Sequence, residues 1–110
     1  MIEQNREIQE IHLLENSLQN LLMQKQVFQI ELAETDSALN QLESSGDEVF
    51  KIIGQLMIKA DKEKSKDELF NKKKVLELRI KSIEKQENSF TGRIETLKNE
   101  ILSKNKKSTK

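Results

Sequence analysis

The reactive side chains in this sequence are abundant in one class and scarce in the others. Nineteen Asp and Glu residues face nineteen Lys and Arg residues, with one histidine and no cysteine. Paired carboxylates can act as general acid and base, but only where a pocket drives their pKa values apart. Only 35% of the chain is apolar, and its aromatics are four Phe with no Trp or Tyr. That is too little to enclose such a pocket. The missing thiols exclude disulfides and thiolate metal sites, and no glycine-rich phosphate loop is present. Lys72-Lys73-Lys74 could touch phosphate. The formal net charge is zero, however, and no aromatic platform is interleaved with the lysines, so they read as a solvated face rather than a nucleic-acid contact. The expectation is a non-enzymatic chain with no cofactor and no metal.

Two charged positions, Lys25 and Glu87, stand out because of where they fall. Residues 2–44 contain neither Pro nor Gly, and Ile11, Leu14, Leu18, Leu21, Phe28, Leu32, Leu39 and Leu42 recur at 3-4 spacing. With Ile11 as an a position, this is a heptad register whose polar exceptions are Lys25 at a and Thr35 at d. His12 falls at an outer b position, a solvated place. Ser44-Ser45-Gly46 ends the helix, with Gly46 able to take the left-handed conformation. A second register has Leu69, Leu76, Ile83, Phe90 and Leu97 at d, and Lys73, Ile80, Glu87, Ile94 and Ile101 at a. Ser65-Lys66-Asp67-Glu68 reads as a capping box that opens this helix. Gly92 falls at an outer f position.

Between the helices the period changes. Val49-Phe50-Lys51-Ile52-Ile53 and Leu56-Met57-Ile58-Lys59-Ala60 are β-branched runs around Gly54-Gln55, which suits a type II′ hairpin turn. The rival reading, one helix through 47–64, runs against Gly54 and the Ile/Val density. The expected fold is mostly α: a long antiparallel two-helix coiled coil with one β-hairpin at the turn. Its expected limits, in a single domain over 1–110, are a helix over about 2–44, a hairpin over about 49–60, a helix over about 66–104 and a frayed basic tail over 105–110.

Folding about Gly54 sets Leu18 against Phe90, Leu14 against Ile94, Ile11 against Leu97, Phe28 against Ile80 and Leu32 against Leu76. Lys25 and Glu87 then lie about one turn apart. They either form an ion pair across the seam or each reach solvent separately. The halves also differ in sign. Residues 1–48 hold ten acids and two bases, a net of −8, and residues 49–110 hold nine acids and seventeen bases, a net of +8. Side by side, they would complement one another.

The hairpin has apolar residues on both faces: Val49, Ile53, Leu56 and Ile58 on one, Phe50, Ile52 and Met57 on the other. An isolated hairpin is marginal in water, and exposed apolar edges invite pairing. These seven residues are expected to join hairpins of other chains, although they could instead fold back onto the helix ends of their own chain. At the opposite end, Ile2, Ile8, Ile11, Leu97, Ile101 and Leu102 could form a patch for apolar clients. Single apolar residues on a surface are also ordinary.

The block Val49 to Lys59, with Leu78 to Glu87 downstream and Gln24-Lys25-Gln26 upstream, resembles the β-type subunit of archaeal prefoldin over nearly the whole chain. One strand pair between the helices fits the β type better than the α type. The resemblance implies a hetero-hexamer with prefoldin α-type and other β-type subunits, its hairpins forming a β-barrel body. It also implies a cytoplasmic, ATP-independent holdase that binds unfolded client proteins at its coiled-coil tips and hands them to a group II chaperonin. No membrane partner is expected: the N-terminus is too charged for a signal peptide, and no run is long enough to span a bilayer. The alternative is a structural coiled-coil adaptor that docks one fixed protein partner, which would have no need of an apolar hairpin at its turn.

Overall fold

A computed structural model describes the backbone of residues 2–108 and the side chains of residues 5–104. The order is helix α1 (Ile2–Ser44), strand β1 (Val49–Ile53), strand β2 (Leu56–Ala60) and helix α2 (Lys62–Ser108). The architecture is the expected pair of long helices separated by one hairpin. The chain divides into two compact units: residues up to Gln26 with those from Lys81 onward, and Val27–Ile80.

Burial follows the heptads in each unit. In the first, Ile11, Leu21, Ile83, Ile94 and Leu97 are buried, and Leu14, Leu18 and Ile101 pack against Ile11, Ile94 and Leu97. In the second, Leu39 and Leu76 are buried. A 3-4 repeat aligns these side chains along one stripe of a helix, which a single helix cannot bury by itself. Thr35, the polar d residue of α1, is buried at 3% exposure. Its hydroxyl donates to the Glu31 carbonyl at 2.7 Å, which satisfies it inside the helix. The Arg79 guanidinium lies 5.5 Å from the centre of the Phe28 ring, a cation–π contact along the same edge.

The strands pair antiparallel from Val49 with Ala60 to Ile53 with Leu56, so Gly54-Gln55 alone forms the loop. Gly54 has φ 61°, and no other described residue has positive φ. A single left-handed residue in the first loop position is what a type II′ turn needs.

Three local expectations are corrected. Helix α2 starts at Lys62, not near 66. Asp61 caps it, its Oδ1 accepting from the Glu63 amide at 3.0 Å and the Lys64 amide at 3.4 Å. One carboxylate satisfies two of the unpaired amides at the helix start, and Ser65 is drawn into the first turn, donating its amide to the Asp61 carbonyl at 2.9 Å. The helix also runs to Ser108, past the expected limit at 104. The side chains of 105–110, the expected basic tail, lie outside the described ones. Finally, Gly46 does not take positive φ. The end of α1 is closed by side chains instead: the Ser45 hydroxyl donates to the Leu42 carbonyl at 2.8 Å, and the Lys62 ammonium donates to the Ser45 carbonyl at 2.9 Å.

Candidate functional site

Among the described residues, exposed apolar side chains gather on the hairpin, at the open end and along α1 at Leu22, Met23, Val27 and Ile30. The first is the hairpin. The strand register sends Val49, Lys51, Ile53, Leu56, Ile58 and Ala60 to one face and Phe50, Ile52, Met57 and Lys59 to the other. Val49 and Ala60 are half-buried. Phe50, Ile52, Ile53, Leu56, Met57 and Ile58 are all open to solvent, from 45% at Ile58 to 71% at Ile52. The chain's own helix ends therefore leave most of both faces uncovered. A groove of about 530 Å³ adjoins the hairpin, lined by Leu42, Val49, Phe50, Lys51, Glu68 and Leu69 among others.

One tie fixes the ribbon to α2: the Lys51 ammonium donates to Glu68 Oε2 at 2.8 Å. That hydrogen bond, with the charges of Lys51 and Lys64, holds the Glu68 carboxyl below its ordinary range against a smaller opposing effect of burial. A carboxyl with a lowered folded-state pKa contributes stability above its unfolded value, about 4.3, and loses it as pH falls through the lower folded value. In Lys51→Met the Glu68 titration followed by carboxyl NMR should move back up. An unchanged midpoint would show that Lys51 does not hold Glu68.

The second surface is the open end, where α1 begins and α2 finishes. Ile8 and Leu102 are exposed, at 42% and 58%. Ile11 and Leu97 are packed in the seam, at 7% and 1%, and Ile101 is half-buried beside them. The side chain of Ile2 lies outside the described ones. Leu13, outside the seam, is exposed at 66%. The six residues read together from the sequence thus divide into an outer pair, an inner trio and one left undescribed.

Charge pairs cross the seam. The Lys25 ammonium donates to Glu87 Oε1 at 2.8 Å, with side chains 19% and 20% exposed. This hydrogen bond, opposed by burial and helped by the charges of Glu87 and Glu84, holds Lys25 above the ordinary lysine range. A raised lysine pKa means that the pair's contribution is complete below the unfolded value near 10.4 and lost as pH rises through the higher folded one. Replacing both residues by Leu should cost less stability than the sum of Lys25→Leu and Glu87→Leu, measured by urea denaturation at pH 7. Strict additivity would mean that the 2.8 Å contact carries no coupling.

Other pairs set an acid of α1 against a base of α2: Glu7 with Lys104 at 2.6 Å, Glu10 with Arg93 at 3.1 Å and Asp36 with Lys73 at 2.9 Å. The opposite signs of the two halves take this form. The sequence reading did not name these pairs, although their signal was available. Extending the heptads one step outward puts Glu7 and Lys104 at d, and the same registers put Glu10 and Arg93 at g positions beside Ile11 and Ile94.

The chain matches the prefoldin-subunit family model over residues 5–108. The chain belongs to the prefoldin subunit family. It is 40% identical over 96 residues to the prefoldin subunit beta of Sulfurisphaera tokodaii, covering 83% of this chain and 77% of that protein. It is 35% identical over 89 residues to that of Thermococcus onnurineus, covering 79% and 77%. The crystal structure of the prefoldin beta subunit from Thermococcus strain KS-1 superposes with a TM-score of 0.85 at 32% identity, covering 92% of this chain and 90% of that one. These likenesses place the chain with the β-type prefoldin subunits, which implies assembly with other prefoldin subunits. Among the described residues no helix is long and apolar enough to cross a membrane, and no cluster of His, Cys, Asp or Glu could hold a metal ion.

Proposed function

We propose that this chain is a subunit of an ATP-independent holdase. It assembles through its hairpin with α-type and other β-type prefoldin subunits into a hetero-hexamer, works in the cytoplasm, and passes unfolded clients to a group II chaperonin. The observation that carries this reading is the hairpin in a chain of β-type prefoldin kind: six large apolar side chains on a two-stranded ribbon with both faces open. Soluble chains seldom leave such a patch uncovered unless another chain covers it. Hairpins of several chains closing into one barrel would pair every strand edge.

Clients bind at the open end through Ile2, Ile8, Ile11, Leu97, Ile101 and Leu102. Ile8 and Leu102 offer the first contact, and Ile11, Leu97 and Ile101 add area when the end opens. Terminal turns are held by few layers and open at little cost. Several tips acting on one client raise the effective concentration, so each can bind weakly.

The test is an assembly of subunits lacking residues 1–9 and 100–110. Its native mass should show the same number of subunits, because the hairpin is intact. Its suppression of aggregation of an unfolded protein should fall sharply. A truncated assembly that protects as well as the full-length one would move client binding elsewhere.

A further inference from the structure

The ion pairs of the unit holding the open end are placed in a pattern. Glu7 and Lys104 both occupy d positions, where a coiled coil ordinarily carries apolar layers, and Glu7 Oε1 accepts from Lys104 Nζ at 2.6 Å. Glu10 and Arg93 flank the seam at g positions. The Glu10 carboxylate accepts from Arg93 Nε at 3.1 Å and Nη2 at 3.4 Å, a two-pronged contact. Farther in, Lys25 and Glu87 both occupy a positions, about one turn apart, and their side chains meet at 2.8 Å. Between Glu7–Lys104 and this inner pair lies the cluster of Ile11, Ile94 and Leu97, with Leu14, Leu18 and Ile101 packed against it, and Glu10–Arg93 runs along its flank. The apolar segment is therefore bracketed by charge at both ends. Charged layers in a seam cost stability and interrupt the continuity of packing, so the segment between them can open as a cooperative unit. Among the described side chains, Glu7–Lys104 bonds the helices at its free end and Glu10–Arg93 bonds them along its flank.

We propose that Glu7–Lys104 and Glu10–Arg93 form an ionic latch that holds the apolar end shut, and that client capture waits on its opening. This rests on the open end being the capture site. With the latch closed, Leu97 and Ile11 are withheld from solvent and the tip shows only isolated apolar residues. With it open, the seam residues join Ile8 and Leu102 in one surface that can re-pack around varied partners. Salt should work the latch. Exposed charges are screened over about 10 Å at 0.1 M ionic strength and about 3 Å at 1 M, while apolar burial is not weakened by common salts in this way.

The test uses the full-length assembly and its E7Q/E10Q variant. Amide hydrogen exchange over residues 8–18 and 94–104 should speed up by roughly three- to tenfold in the variant, as expected for one exposed pair and one whose acid, Glu7, is 13% exposed. Exchange over 28–42 and 69–80 should not change. Sodium chloride should bring the native assembly towards the variant and leave the variant unmoved. The charge swap Glu10→Arg with Arg93→Glu should restore part of the protection. The E7Q/E10Q assembly should also suppress aggregation of reduced lysozyme at a lower ratio of subunits. Unchanged exchange in the variant, or no salt response in the native assembly, would remove the latch. Faster exchange with unchanged suppression would separate opening from capture and overturn the gating. The truncation described above tests independently whether the end captures clients at all. If E7Q/E10Q does not fold, the salt response of the native assembly decides the matter.

Discussion

Ile52→Asp and Ile58→Asp subunits will run as separated chains while keeping the helical circular dichroism of the native protein. In the chain itself Ile52 is 71% exposed and Ile58 45%, so a carboxylate at either place remains largely in water and costs the isolated fold little. Inside a sheet shared between chains the same carboxylate would be stripped of water without a partner, at a cost of several kcal/mol. The effect therefore falls almost wholly on assembly. The two positions also face opposite ways, since Ile52 pairs with Met57 on one face and Ile58 pairs with Lys51 on the other. A barrel places one face inside and leaves the other to pack on helix ends or meet solvent. If only one variant dissociates, it identifies the inner face. Native mass spectrometry of both, mixed with an α-type subunit, is the measurement. Oligomers that survive both substitutions would exclude the hairpin as the assembly surface.

Much of this architecture was legible because long coiled coils obey a simple rule. Residues at a and d from Ile11 to Leu42 and from Leu69 to Ile101 are all buried or half-buried, and one period assigns them. The hairpin was legible because its two β-branched runs break that period around a glycine. The helix ends were less so. Asp61 and Ser65 are both good caps in isolation, and the choice turned on Asp61 reaching two amides at once. At the end of α1, serine hydroxyls and the Lys62 ammonium took over the carbonyls that a left-handed Gly46 would have served. That partner lies seventeen residues away in sequence, beyond the reach of a local rule. The open end was read as a list of apolar residues, whereas its burial depends on pairing. Ile11 and Leu97 are among its most buried members, and Leu13, outside the seam, is among the most exposed.

That division makes Leu97→Ala the sharpest probe of the tip. Leu97 is 1% exposed and sits in the cluster with Ile11 and Ile94. Truncating a buried leucine removes its transfer energy and leaves a cavity, together about 2–5 kcal/mol. The cost should appear first where the side chain packs. Amide exchange over residues 8–18 and 90–104 should rise by roughly thirtyfold or more, while the hairpin and residues 28–42 keep their protection and the native mass is unchanged. Leu13→Ala is the matched control: the same atoms are removed, but from a side chain 66% exposed, so stability should move by no more than about 0.5 kcal/mol. Together the two substitutions separate the roles that the apolar tip combines. If outer side chains make the first contact with clients, Leu13→Ala will weaken capture with the fold untouched. If the seam residues do the binding, Leu97→Ala will alter capture by opening the tip and removing part of the surface it exposes. Equal losses of stability from the two substitutions would show that the helices do not meet through the stripe that places Leu97 at its centre.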